Sequence, residues 1–311
     1  MKPAPFEYHR PSSLDEALNH LREHGSDARL LAGGQSLLPL MNRRLIRPAV
    51  VVDLVRVPGL SHVTPQGEGL AVGTMATHAT LQDSPLTRPD TGFGVIGEAA
   101  GLIGHRPVRT MGTIGGSLAH ADPAAEWCLV AALLDVDLVL ADADGTRVVS
   151  VQSFLRGRDA GELSGGNTLR PDEMVLGLRV GRPSPTAELV EFGVQEQALP
   201  LVAAAAEITV DSSGLICAAR LALGGVANRA IRLPTLEREL IGRRPDGSVC
   251  EEVGRAAAAA INPPSDLRAT APYRRRLAGV LMARALAGSA RRADPDADLP
   301  YSVVAAKGSQ P

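Results

Sequence analysis

The chain has 311 residues, 45% of them hydrophobic and 21% charged, with a formal net charge of −2. That length exceeds one minimal core and fits two or three packed units, and the apolar fraction is that of a globular protein. The near-neutral balance gives no footprint for nucleic acid, and no stretch approaches the ~18 uninterrupted apolar residues of a membrane span. The opening Met1-Lys-Pro-Ala-Pro-Phe-Glu-Tyr-His-Arg10 lacks the apolar region of a secretory signal, so a soluble cytoplasmic protein is expected.

Ser13, followed three residues later by Glu16, forms a capping box, and apolar residues at 14, 17, 18 and 21 recur at helical spacing. Residues 28–31 read as a short strand running into Leu31-Ala-Gly-Gly-Gln-Ser36. A helix is predicted from 36 to 45, with Pro39 tolerated in its first turn. A β-branched strand is expected over 50–57. A second unit follows: a strand from 69, a helix near 78–82 and another over 95–103. Then comes Thr113-Ile-Gly-Gly-Ser-Leu-Ala-His-Ala-Asp-Pro-Ala-Ala-Glu126. Within it Asp122-Pro123 reads as a helix start, an N-cap side chain followed by proline. Trp127, Val130, Leu133 and Leu134 form one apolar stripe on that helix. Residues 138–142 and 146–151, joined through Asp144-Gly145, read as a hairpin, and 174–180 as a closing strand.

Gly181-Arg-Pro-Ser-Pro-Thr186 has two prolines and no hydrophobic period, and is read as a linker. Beyond it, 202–210 and 215–223 form a long hairpin of small and β-branched residues, followed by helices near 234–241, 248–260 and 271–289. The Asp-, Ala- and Pro-rich tail over 291–311 is expected to be flexible. The fold class is α+β, with a larger domain over about 1–180, divided near 58/59, and a smaller hairpin-plus-helices domain over about 187–290.

Each Gly-Gly follows a short apolar run and precedes a hydroxyl residue, Ser36 or Ser117, able to cap the helical pattern that follows and to touch a phosphate oxygen. A single such pair is most simply a tight turn. Two of them, presenting consecutive backbone N–H groups beside helix starts, suit a diphosphate without requiring lysine. Neither is a Walker A motif, because no Lys-Ser/Thr follows at the required spacing, and neither has the Gly-x-Gly-x-x-Gly spacing of a dinucleotide fingerprint. The cysteines Cys128, Cys217 and Cys250 lie far apart with no Cys-x-x-Cys pair. They are read as buried small hydrophobes, so any metal–sulfur centre belongs on another chain. His120, Asp122 and Glu126 could ligate a metal, but the helix-start reading accounts for the two acids, and no metal site is expected. Arg274, Arg275, Arg276 and Arg284 surround Leu277, Val280 and Leu281 on a late helix, either as a docking surface or as a solvated face.

Ala32-Gly-Gly-Gln-Ser36 together with the 113–126 segment closely resembles the FAD-binding medium subunits of the molybdenum hydroxylases, the family of xanthine dehydrogenase and aerobic carbon-monoxide dehydrogenase. The similarity runs from Phe6-Glu-Tyr-His-Arg-Pro11 through Val52-Asp-Leu54 and Val72-Gly-Thr-Met-Ala-Thr-His-Ala79. It continues to Leu221-Ala-Leu-Gly-Gly-Val-Ala227 and Tyr273-Arg-Arg-Arg-Leu-Ala278. The resemblance implies a two-part FAD-binding domain of the PCMH type and a carboxy-terminal flavoprotein domain. It implies that Ala32, Gly33, Gly34, Gln35 and Ser36, with Thr113, Ile114, Gly115, Gly116 and Ser117, wrap the diphosphate and ribityl region of noncovalent FAD. By the same resemblance Glu126 lies near that cofactor, and an aliphatic residue at about Val175 packs near the flavin, as suits a flat, largely apolar ring. His78 reads as a polar loop histidine, with a base or a covalent flavin attachment as alternatives.

Family members often carry a basic Gly-Asp-aromatic segment after the position of Phe192. Here the sequence is Phe192-Gly-Val-Gln-Glu-Gln-Ala-Leu-Pro-Leu-Val202. Charge at the flavin edge helps set its potential, so the acceptor stays open among a quinone, NAD and oxygen. The implied function is electron transfer within a molybdenum-containing dehydrogenase, from [2Fe–2S] clusters on a small ferredoxin-like partner to FAD on this chain. Molybdopterin would sit on a large partner. A self-contained flavin oxidase or reductase and a nucleotide-binding assembly module without flavin chemistry are the alternatives.

Overall fold

The computed structural model describes residues 2–159, 162, 165–195, 197–295 and 299. The chain opens with β1 (Glu7–His9), α1 (Leu14–His24), β2 (Ala28–Leu31), α2 (Leu37–Asn42) and β3 (Val50–Asp53). β3 is central and parallel to both β1 and β2. That explains its unbroken run of buried valines, since a strand covered on both faces need not alternate. Ala17, Leu18 and Leu21 of α1 pack onto Val50, Val52 and Leu54. Ser13 caps α1 by accepting from Glu16 N at 3.2 Å, while the Glu16 carboxylate reaches back to Ser12 N at 2.8 Å. β3 stops short of residue 57 because the Asp53 carboxylate accepts from Val55 N at 3.0 Å and turns the chain into a 3₁₀ turn.

The middle of the chain comprises β4 (Val63–Gln66), β5 (Gly69–Gly73), α3 (His78–Asp83), α4 (Gly94–Leu102), α5 (Arg106–Met111), α6 (Ile114–His120) and α7 (Glu126–Leu134). β6 (Asp137–Asp142), β7 (Gly145–Ser150), the short α8 (Val151–Phe154) and β8 (Met174–Val180) complete it. The sheet is antiparallel throughout, in the order β4-β5-β8-β6-β7, so the expected closing strand lies at its centre. Two corrections arise here. The second Gly-Gly lies in the first turn of α6 rather than in a loop. The following helix begins at Glu126, not at Asp122-Pro123. Asp122 instead closes an Asx turn, accepting from Ala124 N at 2.9 Å.

The last part holds β9 (Glu188–Phe192), β10 (Val202–Val210), β11 (Ile216–Gly224), β12 (Ile231–Arg232), α9 (Pro234–Leu240), α10 (Gly247–Ala259) and α11 (Ala271–Ala293). Its antiparallel sheet runs β12-β11-β10-β9. β10 is buried on both faces. Ala203 and Ala205 join the apolar cluster of α7, whereas Val202, Ala204, Ala206 and Ile208 join that of α10 and α11. α7, every residue of which is buried, therefore lies between two sheets, and an all-round apolar helix is what that position requires. α10 and α11 cross closely at two glycines; a Cβ on Gly254 would stand 2.5 Å from the Gly279 carbonyl oxygen.

α11 extends past residue 289, and Arg292 near its end pairs with Glu98 at 2.9 Å and Glu188 at 2.7 Å. The start of the expected tail is thus helical; residues 296–298 and 300–311 lie outside the described residues. Arg274 is neither a docking nor a solvated residue. It is 4% exposed and donates to the carbonyls of Leu201 at 2.5 Å and Gly225 at 3.1 Å, while pairing with Asp266 at 2.7 Å. Arg276, Val280 and Arg284 do face solvent. Cys128 and Cys250 are buried, their thiols pushed up to about 12 by burial, but Cys217 is exposed, contrary to expectation. Among the described residues no helix is long and apolar enough to cross a membrane.

Candidate cofactor site

The two glycine segments meet. β2 delivers the chain to residues 32–36, and α5 delivers it to Gly112 and the start of α6. The contact between them is main chain against main chain. A Cβ on Gly33 would lie 2.6 Å from the Met111 carbonyl carbon and 2.7 Å from Gly112 Cα, closer still to the Met111 oxygen. A Cβ on Gly116 would face Ala32 Cβ at 3.6 Å. Gly34 has φ +71°, the left-handed region that glycine enters without penalty.

The segments differ in what they leave available. Among the described residues, no hydrogen bond is donated by the backbone N–H groups of Gly33, Gly34, Gln35 or Ser36. Gln35 turns its amide onto the Gly33 carbonyl at 3.0 Å. In the second segment the N–H groups from Ile114 to Ser117 are already committed: Ile114 N to Ala76 O, Gly115 N to Thr74 O and Ser117 N to Thr113 O, each at 3.0 Å, and Gly116 N to Thr113 Oγ1 at 3.1 Å. The expectation of two equivalent N–H cradles is thereby corrected. Among the described residues only the first segment presents a run of consecutive free main-chain donors; the second, where Thr113 N alone has no acceptor, is a supporting wall.

Gly115 is required because it sits on Thr74, where a Cβ would lie 2.7 Å from Thr74 Cβ and 2.8 Å from its Cα. The helix-capping roles expected of Ser36 and Ser117 are corrected as well. Ser36 makes no side-chain cap to α2, and Thr113 rather than Ser117 caps α6. Thr74 is the positioning residue that sequence reasoning missed, whereas Thr113, expected at the cofactor, is the N-cap of α6, a role signalled by its place before a Gly-Gly at helix-cap spacing.

Glu126 is only 4% exposed, at the first position of α7. Burial raises its carboxyl to about 7, opposed by its own backbone N–H and reinforced by Asp122. Glu191 on β9 is raised to about 8, by burial first and by Glu126 second, and its Oε2 is buried without a partner. Asp122 pairs with Arg158 at 3.3 Å, and Arg158 donates to the His120 carbonyl at 2.5 Å, which pins the turn between α6 and α7. Asp122 is thus taken up by an Asx turn and an arginine, as a structural acid.

Val175, at 3% exposure, belongs to the apolar core rather than to a surface; its neighbour Leu176 is the half-buried aliphatic residue of β8. His78 is not a loop residue. It opens α3 behind the Thr77 cap and is buried, its Nδ1 accepting from Trp127 Nε1 at 3.0 Å. Burial, with Arg109 nearby, lowers it to about 4 and keeps it neutral at neutral pH.

Residues 4–185 match the family described as the FAD binding domain in molybdopterin dehydrogenase, and residues 191–288 match the CO dehydrogenase flavoprotein C-terminal domain. The chain belongs to the FAD-binding medium subunits of the molybdenum hydroxylases. It is 32% identical to the 6-hydroxypseudooxynicotine dehydrogenase complex subunit alpha of Paenarthrobacter nicotinovorans, over 95% of this chain and 98% of that one. It is 31% identical to the carbon monoxide dehydrogenase medium chain of Hydrogenophaga pseudoflava, over 92% and 97%. Among solved structures, quinoline 2-oxidoreductase from Pseudomonas putida 86 superposes with a TM-score of 0.88 at 32% identity, covering 94% of this chain and 99% of that chain. As a medium subunit of this family, the chain is an FAD-dependent oxidoreductase subunit.

Proposed function

We propose that this medium subunit carries electrons from [2Fe–2S] clusters on a small ferredoxin-like partner to an external acceptor, for a large molybdopterin-bearing partner that oxidises the substrate. The observation that carries the reading is the first glycine segment, whose free main-chain donors run from Gly33 to Ser36 at the point where two backbones touch. Residues 32–36 would hold the FAD diphosphate through backbone N–H groups and the Ser36 hydroxyl. Such a hold needs no lysine and places no side chain between anion and main chain.

Residues 113–117 would form the opposite wall. There Thr113 fixes α6, Gly115 permits its approach to Thr74, and the Ser117 hydroxyl is left for the ligand. Leu176, rather than Val175, is the aliphatic residue of β8 available to a flavin, and Glu126 supplies a buried carboxyl near it. Bound FAD supplies the chemistry this chain lacks, a carrier that accepts an electron pair and can release electrons singly. The division of labour fits widely spaced cysteines that cannot hold a cluster. In this reading residues 1–180 form the FAD-binding part, 187–290 close over it, and the complex works in the cytoplasm with a quinone, NAD or oxygen as acceptor.

The test is rapid-mixing reduction of the flavin, with the chain alone and in the native complex. Substrate should reduce the flavin only when both partner chains are present. Substrate-dependent reduction of the isolated chain would establish a self-contained flavoenzyme instead. A complex that binds an adenine nucleotide but no flavin would establish an assembly module.

A further inference from the structure

Three of the seven histidines, His9, His20 and His24, come together ahead of the first glycine segment. His20 and His24 are four residues apart on α1 and so share a face. His9, at the end of β1, reaches the same place because α1 packs across β3, the strand with which β1 pairs. The ring centroids are 4.2 Å apart for His9 and His20, 6.0 Å for His9 and His24, and 6.2 Å for His20 and His24. One ring nitrogen from each lies within 4.8 Å of the other two. Two nitrogens of the cluster, His9 Nε2 and His20 Nδ1, are buried with no hydrogen-bond partner. Carboxylates flank it, with Glu7 Oε2 3.6 Å from His9 Nε2 and Glu23 Oε2 3.9 Å from His24 Nε2.

We propose that His9, His20 and His24 form a three-imidazole site for a divalent late transition cation of the zinc class. Neutral imidazole is the ligand type that zinc, copper and nickel share, and three of them leave a fourth position for water or the Glu7 carboxylate. Metal–nitrogen bonds of about 2.0–2.1 Å put tetrahedral ligand atoms about 3.3 Å apart. The cluster therefore needs its nitrogens to close by about 1.5 Å at most. The orphaned nitrogens gain a partner, and the two glutamates offset the charge and orient the rings. A bound cation would tie β1 to α1. Among the described residues no hydrogen bond, ion pair or ring contact joins these histidines to the glycine segments, so the site is argued independently of flavin binding.

The experiment uses the full chain, stripped with chelator and titrated with Zn²⁺ against a chromophoric competitor, with Co²⁺ as a spectroscopic substitute. One Zn²⁺ per chain is expected, together with the visible absorption of four-coordinate Co²⁺ and a Zn²⁺-dependent rise in unfolding temperature. Outer-shell changes alone cost 10–100-fold, so H9A, H20Q and H24Q should each weaken binding by about 100-fold or more. H62A, at an exposed histidine outside the cluster, should bind as wild type, and the unfolding temperature without metal reports whether each variant folds. The proposal is overturned if the folded H20Q/H24Q double variant binds Zn²⁺ as tightly as wild type. It is equally overturned if wild type binds no Zn²⁺ tighter than H20Q/H24Q does, or if H62A loses the metal instead.

Discussion

Gly33→Ala is the most informative single substitution. The added methyl would stand 2.6 Å from the Met111 carbonyl carbon and 2.7 Å from Gly112 Cα. Ordinary carbon–carbon contact is ~3.5–4.0 Å, so the overlap is about 1 Å against atoms that cannot rotate away. Relief requires moving residues 32–34 away from 111–112, which opens the junction of the two glycine segments. Overpacking typically costs ~1–3 kcal/mol, and obstruction by main chain puts this site at the upper end, about 3 kcal/mol. For a unit of this size that is a drop of roughly 6–12 °C in unfolding temperature. Because the displaced segment is the one with free N–H donors, flavin affinity should fall further than stability does. Differential scanning fluorimetry with and without FAD, alongside FAD fluorescence titration, separates the two effects. A Gly33→Ala protein that keeps wild-type stability and flavin content would refute this account of the junction.

Three other outcomes are expected. Glu126→Gln removes a carboxyl whose pKa rises on folding from an ordinary carboxylate value to about 7. Such a group favours the fold below its unfolded pKa and loses that contribution as pH rises through the folded value. The variant should therefore gain stability relative to wild type between about pH 4.5 and 7, levelling off above, by up to ~3 kcal/mol in urea melts of apoprotein. Arg274→Met should destabilise by about 3 kcal/mol or more, since it strands the Leu201 and Gly225 carbonyls and Asp266; chemical denaturation checks it. Thiol titration of the native chain should label Cys217 rapidly and leave Cys128 and Cys250 untouched until denaturant is added.

The sequence disclosed most where local preference and tertiary role agree. Residues 174–180 read as a strand because a run of apolar residues buried at the centre of a sheet needs no competing signal. It misled where packing overrides propensity. Gly115 and Gly116 argue against helix locally, yet α6 starts there because only glycine lets its first turn lie on Thr74. Asp122-Pro123 carries a helix-start signal, but Arg158 and an Asx turn take up the aspartate, and the helix waits until Glu126. The number of free N–H donors was illegible for the same reason: whether Gly115 N is free depends on a carbonyl forty-one residues earlier, at Thr74. His78 and Arg274 looked like surface groups because their partners, Trp127 and the Leu201 and Gly225 carbonyls, are remote in sequence. The i, i+4 pair His20 and His24 was visible on α1, but its meeting with His9 needed the packing of α1 across β3, the strand with which β1 pairs.

The most direct measurement is a flavin stoichiometry on the purified chain, made by titrating apoprotein with FAD and then releasing the cofactor with acid. The expected result is one FAD per chain, released intact and therefore noncovalent, with binding lost in Gly33→Ala and Gly34→Ala. Failure of the wild-type chain to bind FAD, both alone and with its partner chains, would contradict the assignment of residues 32–36 and 113–117 as the cofactor clamp.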